Sequence, residues 1–236
     1  MERLKAAVVT GASSGIGLAI SRKISSMGYE VYGFGRNFAD HPLWQKERCY
    51  PIVCDLTDTD QLCDHIRRIR TRSQVHILVN NAGVGYYGLH EELNPDKIKE
   101  MVRINLELPM ILSQQLLREL KKNKGYLISI ASVTANELNP HGCAYGATKA
   151  GLASFSRSLF EEARKYGVKV ASVYPDMTKT NLYRNADFRE GEEAASYLEP
   201  EEVADAVAYM LNQRDGMVVS DMILRPQIHR IRKVRE

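Results

Sequence analysis

Residues 6–36 read AAVVTGASSGIGLAISRKISSMGYEVYGFGR, and the folding of this stretch decides that of the rest of the chain. Residues 6–9 are a short, wholly apolar run of the kind that forms a strand buried on both faces. Gly11, Gly15 and Gly17 then punctuate a loop, GLAISRKISSMG continues with helical period, and EVYGFG (30–35) returns to strand character. Strand, glycine-rich loop, helix and strand in succession make a βαβ unit, the seed of a parallel sheet.

The same alternation runs on to the end. PIVC (51–54) precedes the helical DTDQLCDHIRRIRTR, and HILV (76–79) precedes a loop and a helix from about Pro95. YLISI (126–130) leads to a helix expected over 145–166, and VKVASVY (168–174) leads to a variable segment. EPEEVADAVAYMLN (199–212) is a helix with Pro200 at its start, and MVVSDMIL (217–224) is the last strand. The expected fold is therefore α/β: a Rossmann-like doubly wound parallel sheet of seven strands with helices on both faces. No repeat or linker divides residues 1–236, so a single domain is expected. In such sheets ligands bind beyond the carboxyl ends of the strands, where strand order switches.

Composition narrows the function classes. The 236 residues are 44% hydrophobic and 26% charged, with a net charge of +3, which argues against a dedicated nucleic-acid binder. The basic run Arg67, Arg68, Arg70, Arg72 reads as a solvated helix face, with no interleaved aromatics for stacking bases. Cys49, Cys54, Cys63 and Cys143 show neither C-x-x-C nor paired zinc spacing, so reduced thiols and no metal site are expected. The opening residues are too glycine-interrupted for a signal peptide, and no run reaches the ~18 apolar residues of a membrane span. A cytoplasmic protein with no membrane partner is expected.

The loops after the strands carry the chemistry. Gly11, Gly15 and Gly17 have the spacing G-x-x-x-G-x-G, which permits a tight turn and presents a helix N-terminus to a pyrophosphate. NNAG follows at 80–83, and Tyr145 and Lys149 form Y-x-x-x-K, one helical turn apart. Together these three motifs, in order and each after its own strand, resemble the short-chain dehydrogenase/reductase family over residues 4–224. That resemblance implies a seven-stranded parallel sheet and a nicotinamide dinucleotide. The cofactor-binding set it implies starts with Gly11, Ser13, Ser14, Gly15, Ile16 and Gly17. Asp55, with Leu56, would meet the adenine; Asn81, Ala82 and Gly83 would run beside the adenine ribose, and Asn80 would be structural. Tyr145, Lys149, Pro175, Thr178 and Thr180 complete the set, Thr180 standing where the family bonds the nicotinamide carboxamide.

NAD-preferring folds place a carboxylate at the end of the second strand. Here Gly35 stands in that place and Arg36 follows it. A small residue leaves room for a 2′-phosphate and a guanidinium grips one, so the expected cofactor is NADP(H).

Hydride transfer to a ketone builds negative charge on oxygen, and the site must supply a proton and a hydrogen bond. Tyr145 is the candidate proton donor. A lysine ammonium one turn away favours phenolate, so Lys149 is expected to lower the Tyr145 pKa while holding the nicotinamide ribose, as the family match implies. Ser132, thirteen residues before Tyr145, matches the family serine that polarises the substrate carbonyl. Ser129, inside the strand, faces otherwise and suggests packing. Asn105 matches the family asparagine that opens a proton relay to Lys149, and an asparagine within a helical pattern fits a local distortion.

Three features depart from the pattern. In YPDMTKTN, Asp176 replaces the family's glycine after Pro175, so it either adopts an unusual φ or the loop is rearranged. Residues 181–199 are expected to form a short substrate lid carrying Leu182, Tyr183, Phe188 and Tyr197. The chain ends MILRPQIHRIRKVRE, and Arg230, Arg232, Lys233 and Arg235 read as a solvated basic end. The expected activity is that of an NADP(H)-dependent oxidoreductase, a carbonyl reductase acting on a small ketone or secondary alcohol. By family habit it would be a homodimer or homotetramer. An idle cofactor-binding sensor would show loss of the tyrosine or lysine, and neither is lost.

Overall fold

The computed structural model describes residues 4–38 and 41–234. Its main sheet has seven strands: β1 (Lys5–Thr10), β2 (Glu30–Gly35), β3 (Cys49–Val53), β4 (Gln74–Asn80), β5 (Tyr126–Ile130), β6 (Lys169–Pro175) and, as the last, β8 (Asp221–Leu224). They lie in the order β3-β2-β1-β4-β5-β6-β8, every neighbouring pair parallel. The chain runs outward from β1 to β3 and then returns to place β4 on the other side of β1. A crevice opens at that reversal, beyond the carboxyl ends of the strands.

Side-chain alternation along β1 shows why the sheet is covered on both faces. Ala6 and Val8 pack into one apolar layer with Leu62, Ile66 and Ile69 of α2 (Thr59–Arg72) and Leu112 and Leu116 of α4 (Leu108–Asn123). Ala7 and Val9 pack into the opposite layer with Ile20 and Ile24 of α1 (Gly15–Ser26) and Val203 and Val207 of α6 (Pro200–Leu211). Residues i and i+1 of a strand point to opposite faces, so a run of small and branched apolar residues serves both layers. On α2, Arg67, Arg68 and Arg72 are exposed and Arg70 is half-buried.

Helix α3 (Pro95–Val102) passes into one turn of π-helix at Arg103–Glu107 before α4 begins. The expected distortion around Asn105 is thus a widened turn. The helix expected over 145–166 begins two residues earlier, as α5 (Cys143–Ala163), and tightens into a 3-10 turn at Arg164–Tyr166. Gly142 at its N-cap and Gly167, left-handed at φ 81°, bound the whole.

One expectation about the C-terminal part needs correction. Of residues 217–224 only Asp221–Leu224 form a strand; Gly216 sits at positive φ in a turn that delays entry into the sheet. Arg230, Arg232 and Lys233 of the basic end are exposed, as expected, and the segment is also structured. Residues Ile231–Lys233 form β9, which pairs antiparallel with β7 (Phe188–Glu190) in a separate two-stranded ribbon. Arg230 and Arg232 face Glu193 (2.6 Å) and Glu192 (3.7 Å), so the basic residues meet acids of the segment before α6. Arg235 lies outside the described residues. Among the described residues no helix is long and apolar enough to cross a membrane.

Candidate active site

A cleft of about 510 Å³ lies across the carboxyl ends of β1, β2, β4, β5 and β6. The first loop forms its floor. Gly11 has φ +65°, and a Cβ there would stand 2.9 Å from the Ala82 Cα, so only glycine lets the two loops touch. A Cβ at Gly17 would stand 2.2 Å from the Gly11 carbonyl oxygen. Gly17 therefore does not line the cleft; it lets α1 start tightly beneath the loop. Ser13, Ser14, Gly15 and Ile16 do line it. Ser14 caps α1 without a side-chain hydrogen bond, which leaves the first N–H groups of the helix as free donors. Such a helix start is built for a pyrophosphate.

The second loop is tied to the first. Thr10 Oγ1 accepts from the N–H groups of Asn81 and Ala82, both at 3.0 Å, and Asn81 Nδ2 donates to the Thr10 carbonyl at 2.8 Å. Thr10 opens the TGASSGIG loop, but the glycine spacing assigns it no role; its tie to the second loop shows only in the fold. Asn81, Ala82 and Gly83 line the cleft, whereas Asn80 is buried against Ser113.

Arg36, Asp55 and Leu56 line the outer end. Hydrogen bonds from the Thr57 N–H (2.9 Å) and hydroxyl (2.8 Å) hold the Asp55 carboxyl below the usual range, with smaller help from Arg36 and Arg103. Helix α2 is capped by Asp58, not by Asp55. A Cβ on Gly35 would stand 3.0 Å from the Ser13 Cβ, so the position is tight as well as uncharged.

At the inner end, Ser132, Tyr145 and Lys149 converge. Ser132 Oγ accepts from the Thr134 N–H (3.2 Å) and the Thr134 hydroxyl (3.0 Å), so its own proton remains available to donate. Ser129, by contrast, is fully buried and accepts from Ser156 at 2.9 Å. Lys149 Nζ donates to the Ile130 carbonyl at 2.8 Å and lies 5.8 Å from the centre of the Tyr145 ring. Burial pushes the Tyr145 phenol up to about 12, a hydrogen bond with Ser132 working in the opposite sense. The lowering expected from Lys149 does not prevail. The same burial drives Lys149 down to about 8, weakening the charge that would favour phenolate.

Asn105 does not line the cleft; it is completely buried behind it, bonded through its side chain to Val84 and Thr148. Pro175, Asp176, Thr178 and Thr180 line the third side. Thr178 donates its hydroxyl to the Asp176 carbonyl (2.9 Å), and Thr180 Oγ1 accepts from the Leu182 N–H (3.3 Å). Asp176 is not among the residues at positive φ, so the loop follows an ordinary path in place of the glycine conformation. Its carboxylate accepts from the Met177 N–H (2.8 Å) and faces Arg225 (3.7 Å), which also pairs with Glu137.

Comparison with known proteins decides the family. The profile described as short chain dehydrogenase matches residues 5–191. The chain is a short-chain dehydrogenase/reductase. An uncharacterized oxidoreductase of Staphylococcus epidermidis is 33% identical to this short-chain dehydrogenase/reductase, over 94% of this chain and 97% of its own. An alcohol dehydrogenase from the archaeon Thermococcus sibiricus, solved with 5-hydroxy-NADP, superposes with a TM-score of 0.86 at 27% identity, covering 96% of this chain and 98% of its own. A metagenomic short-chain oxidoreductase in complex with NADP gives 0.79 at 30% identity, covering 95% and 98%.

In this short-chain dehydrogenase/reductase, two residues behind the cleft and one that lines it carried no motif signal. Thr134 orients the Ser132 hydroxyl, and Thr148 joins Asn105 to the Tyr145 carbonyl (2.8 Å). Arg184, on the 3-10 turn Asn181–Asn185, lines the cleft among otherwise local contacts. A bare threonine or arginine in a variable segment has no spacing rule to betray it.

Proposed function

We propose that this chain is an NADP(H)-dependent carbonyl reductase that interconverts a small ketone and its secondary alcohol. The observation that carries this reading is the convergence of Ser132, Tyr145 and Lys149 at one end of a cleft with a glycine-rich helix start on its floor. Arg36 and the carboxylate-free Gly35 at the outer end favour the 2′-phosphorylated cofactor. The free N–H groups of α1 and the Gly11–Ala82 approach form a cradle that fits its pyrophosphate. Asp55 would take the adenine amino group, Asn81 to Gly83 the adenine ribose, and Lys149 the nicotinamide ribose. Pro175, Thr178 and Thr180 would border the nicotinamide.

When bound, the nicotinamide supplies or accepts the hydride. The chain does the rest. Ser132, its oxygen already satisfied by Thr134, donates a hydrogen bond to the substrate carbonyl oxygen and keeps its proton. As negative charge grows there, Tyr145 delivers a proton to the same oxygen. Burial keeps Tyr145 a phenol at neutral pH, so it carries the proton that carbonyl reduction consumes. Lys149 and the buried Asn105 region would return a proton to Tyr145 after each turnover. Residues 181–199 would act as the substrate lid over a single domain, and the assembly would be a homodimer or homotetramer in the cytoplasm.

The test is NADPH oxidation against a panel of small neutral ketones, with wild type and Tyr145→Phe. Turnover that disappears in the variant supports the mechanism. Turnover indifferent to the change overturns it, and tight NADPH binding without turnover of any ketone would make the chain a cofactor sensor.

A further inference from the structure

The C-terminal ribbon has no place in the chemistry above, yet an unbroken series of contacts joins it to Tyr145. Strand β9 pairs with β7 in the register Phe188–Lys233, Arg189–Arg232 and Glu190–Ile231. Two more backbone bonds extend the seam: the Val234 N–H to the Asp187 carbonyl (2.7 Å) and the Ile228 N–H to the Ala195 carbonyl (2.9 Å). From the middle of β7, the Arg189 guanidinium donates to the carbonyls of Tyr183, Ala186 and Phe188, which locks the preceding turn to the strand.

Phe188 carries the series inward. Its ring centre lies 5.1 Å from that of Tyr87, edge to face, and 5.4 Å from that of Tyr183. Tyr87 in turn lies 5.6 Å from Tyr145. These separations are those of mutually attractive aromatic pairs. Tyr87 thus packs against the proton donor, and Tyr183 and Phe188 back Tyr87 from the other segment. A three-residue ribbon has little stability of its own, so its worth lies in where it holds Phe188.

We infer that β9 makes Phe188 a positioning residue: the strand holds the lid's aromatic face against Tyr87 and, through Tyr87, steadies Tyr145 and the substrate end of the cleft. This rests on the reading of Tyr145 as the proton donor and of 181–199 as the lid. It also accounts for the basic tail, whose arginines meet Glu192 and Glu193 beside the seam. Losing β9 would leave the cofactor floor untouched and loosen only the substrate side.

Two full-length variants test this. Arg232→Pro removes a backbone donor and the conformational freedom that β9 needs; Phe188→Ala removes the ring and leaves the ribbon. Hydrogen exchange of amides 182–190 in Arg232→Pro is expected to accelerate about tenfold or more over wild type. For the ketone turned over best, KM is expected to rise about tenfold in both variants, with kcat changed less than about threefold and NADPH affinity within about twofold. Phe188→Tyr, which keeps the ring, should restore KM. Unchanged lid exchange in Arg232→Pro, or an unchanged KM in Phe188→Ala, overturns the inference. If Arg232→Pro does not fold, Phe188→Ala against Phe188→Tyr decides alone, since neither alters the ribbon's backbone. The exchange readout needs no substrate, so a wild type that reduces no ketone would defeat the proposed function and still leave the tie between tail and lid decided.

Discussion

Asn105 and Val84 exchange a reciprocal pair of hydrogen bonds: Asn105 Oδ1 accepts from the Val84 N–H and Asn105 Nδ2 donates to the Val84 carbonyl, each at 2.9 Å. A side-chain amide here does what a neighbouring strand would do for the backbone. The same Nδ2 donates to Thr148 Oγ1 (3.1 Å), whose proton goes to the Tyr145 carbonyl (2.8 Å). The widened turn at Arg103–Glu107 thereby joins the loop after β4 to α5.

Asn105→Leu should therefore be costly whatever the reaction. It strands the Val84 N–H and carbonyl in a fully buried place, at about 1–3 kcal/mol for each unsatisfied group. We expect a loss of about 3 kcal/mol in urea denaturation of the cofactor-free protein. A loss below about 1 kcal/mol would mean that water or a rearranged loop satisfies Val84.

Tyr145→Phe and Ser132→Ala remove single oxygens from the inner end of the cleft. Loss of the proton donor is expected to lower kcat about 10²–10⁴-fold, and loss of the carbonyl hydrogen bond about 10²–10³-fold. NADPH binding, followed by its fluorescence, should hold within about twofold for both, because neither residue touches the glycine floor or Arg36. A matching loss of cofactor affinity would show that the variants disturb the cleft as a whole.

How much of this was legible beforehand depends on whether a residue obeys a spacing rule. The glycines, NNAG and Tyr145 with Lys149 sit at the ends of elements whose periodicity is read directly, so the sheet and the cleft floor were within reach. Thr10, Thr134 and Thr148 act only because distant loops meet, and no local pattern marks them. The β7–β9 ribbon pairs segments over forty residues apart through three residues each, too short for strand periodicity to register. Its charges read as a solvated end and are exposed, but their partners, Glu192 and Glu193, lie beyond any helical or strand spacing. The direction of the Tyr145 pKa differs from the sequence expectation for a related reason. Opposing charge is visible as a lysine four residues on; the desolvation that outweighs it is a property of the packed interior.

Burial of Lys149 has a signature in stability against pH. Its pKa falls from 10.5 in the unfolded chain to about 8 in the fold. Between those values the unfolded state binds more protons, so stability rises with pH. Tyr145 acts oppositely, since its pKa is raised from 10.0 to about 12, but only above pH 10. The window is therefore pH 8 to 10. Relative to Lys149→Met, the cofactor-free wild type should gain up to about 1.4 kcal/mol per pH unit across it. Urea denaturation at three pH values reads the difference, and a flat or falling difference would place the ammonium in contact with water.

Cofactor choice gives the last prediction. Arg36 is exposed at the mouth of the cleft with no carboxylate within salt-bridge distance among the described residues, so its charge is free to meet a 2′-phosphate. Charge-assisted hydrogen bonds contribute about 1.5–3 kcal/mol, so Arg36→Ala should weaken NADPH about 10–100-fold and leave NADH nearly unchanged. The obvious route to NADH, Gly35→Asp, meets an obstacle. Its Cβ would come to 3.0 Å from the Ser13 Cβ and 3.1 Å from the Phe38 ring, so the first loop must give way before the carboxylate can reach a ribose. We expect Gly35→Asp to lose NADPH strongly and to gain little for NADH, in contrast to a simple exchange of preference. Dissociation constants for both cofactors across the two variants decide the matter. If Arg36→Ala weakened NADPH and NADH equally, Arg36 would serve the fold or the shared part of the cofactor and not the 2′-phosphate.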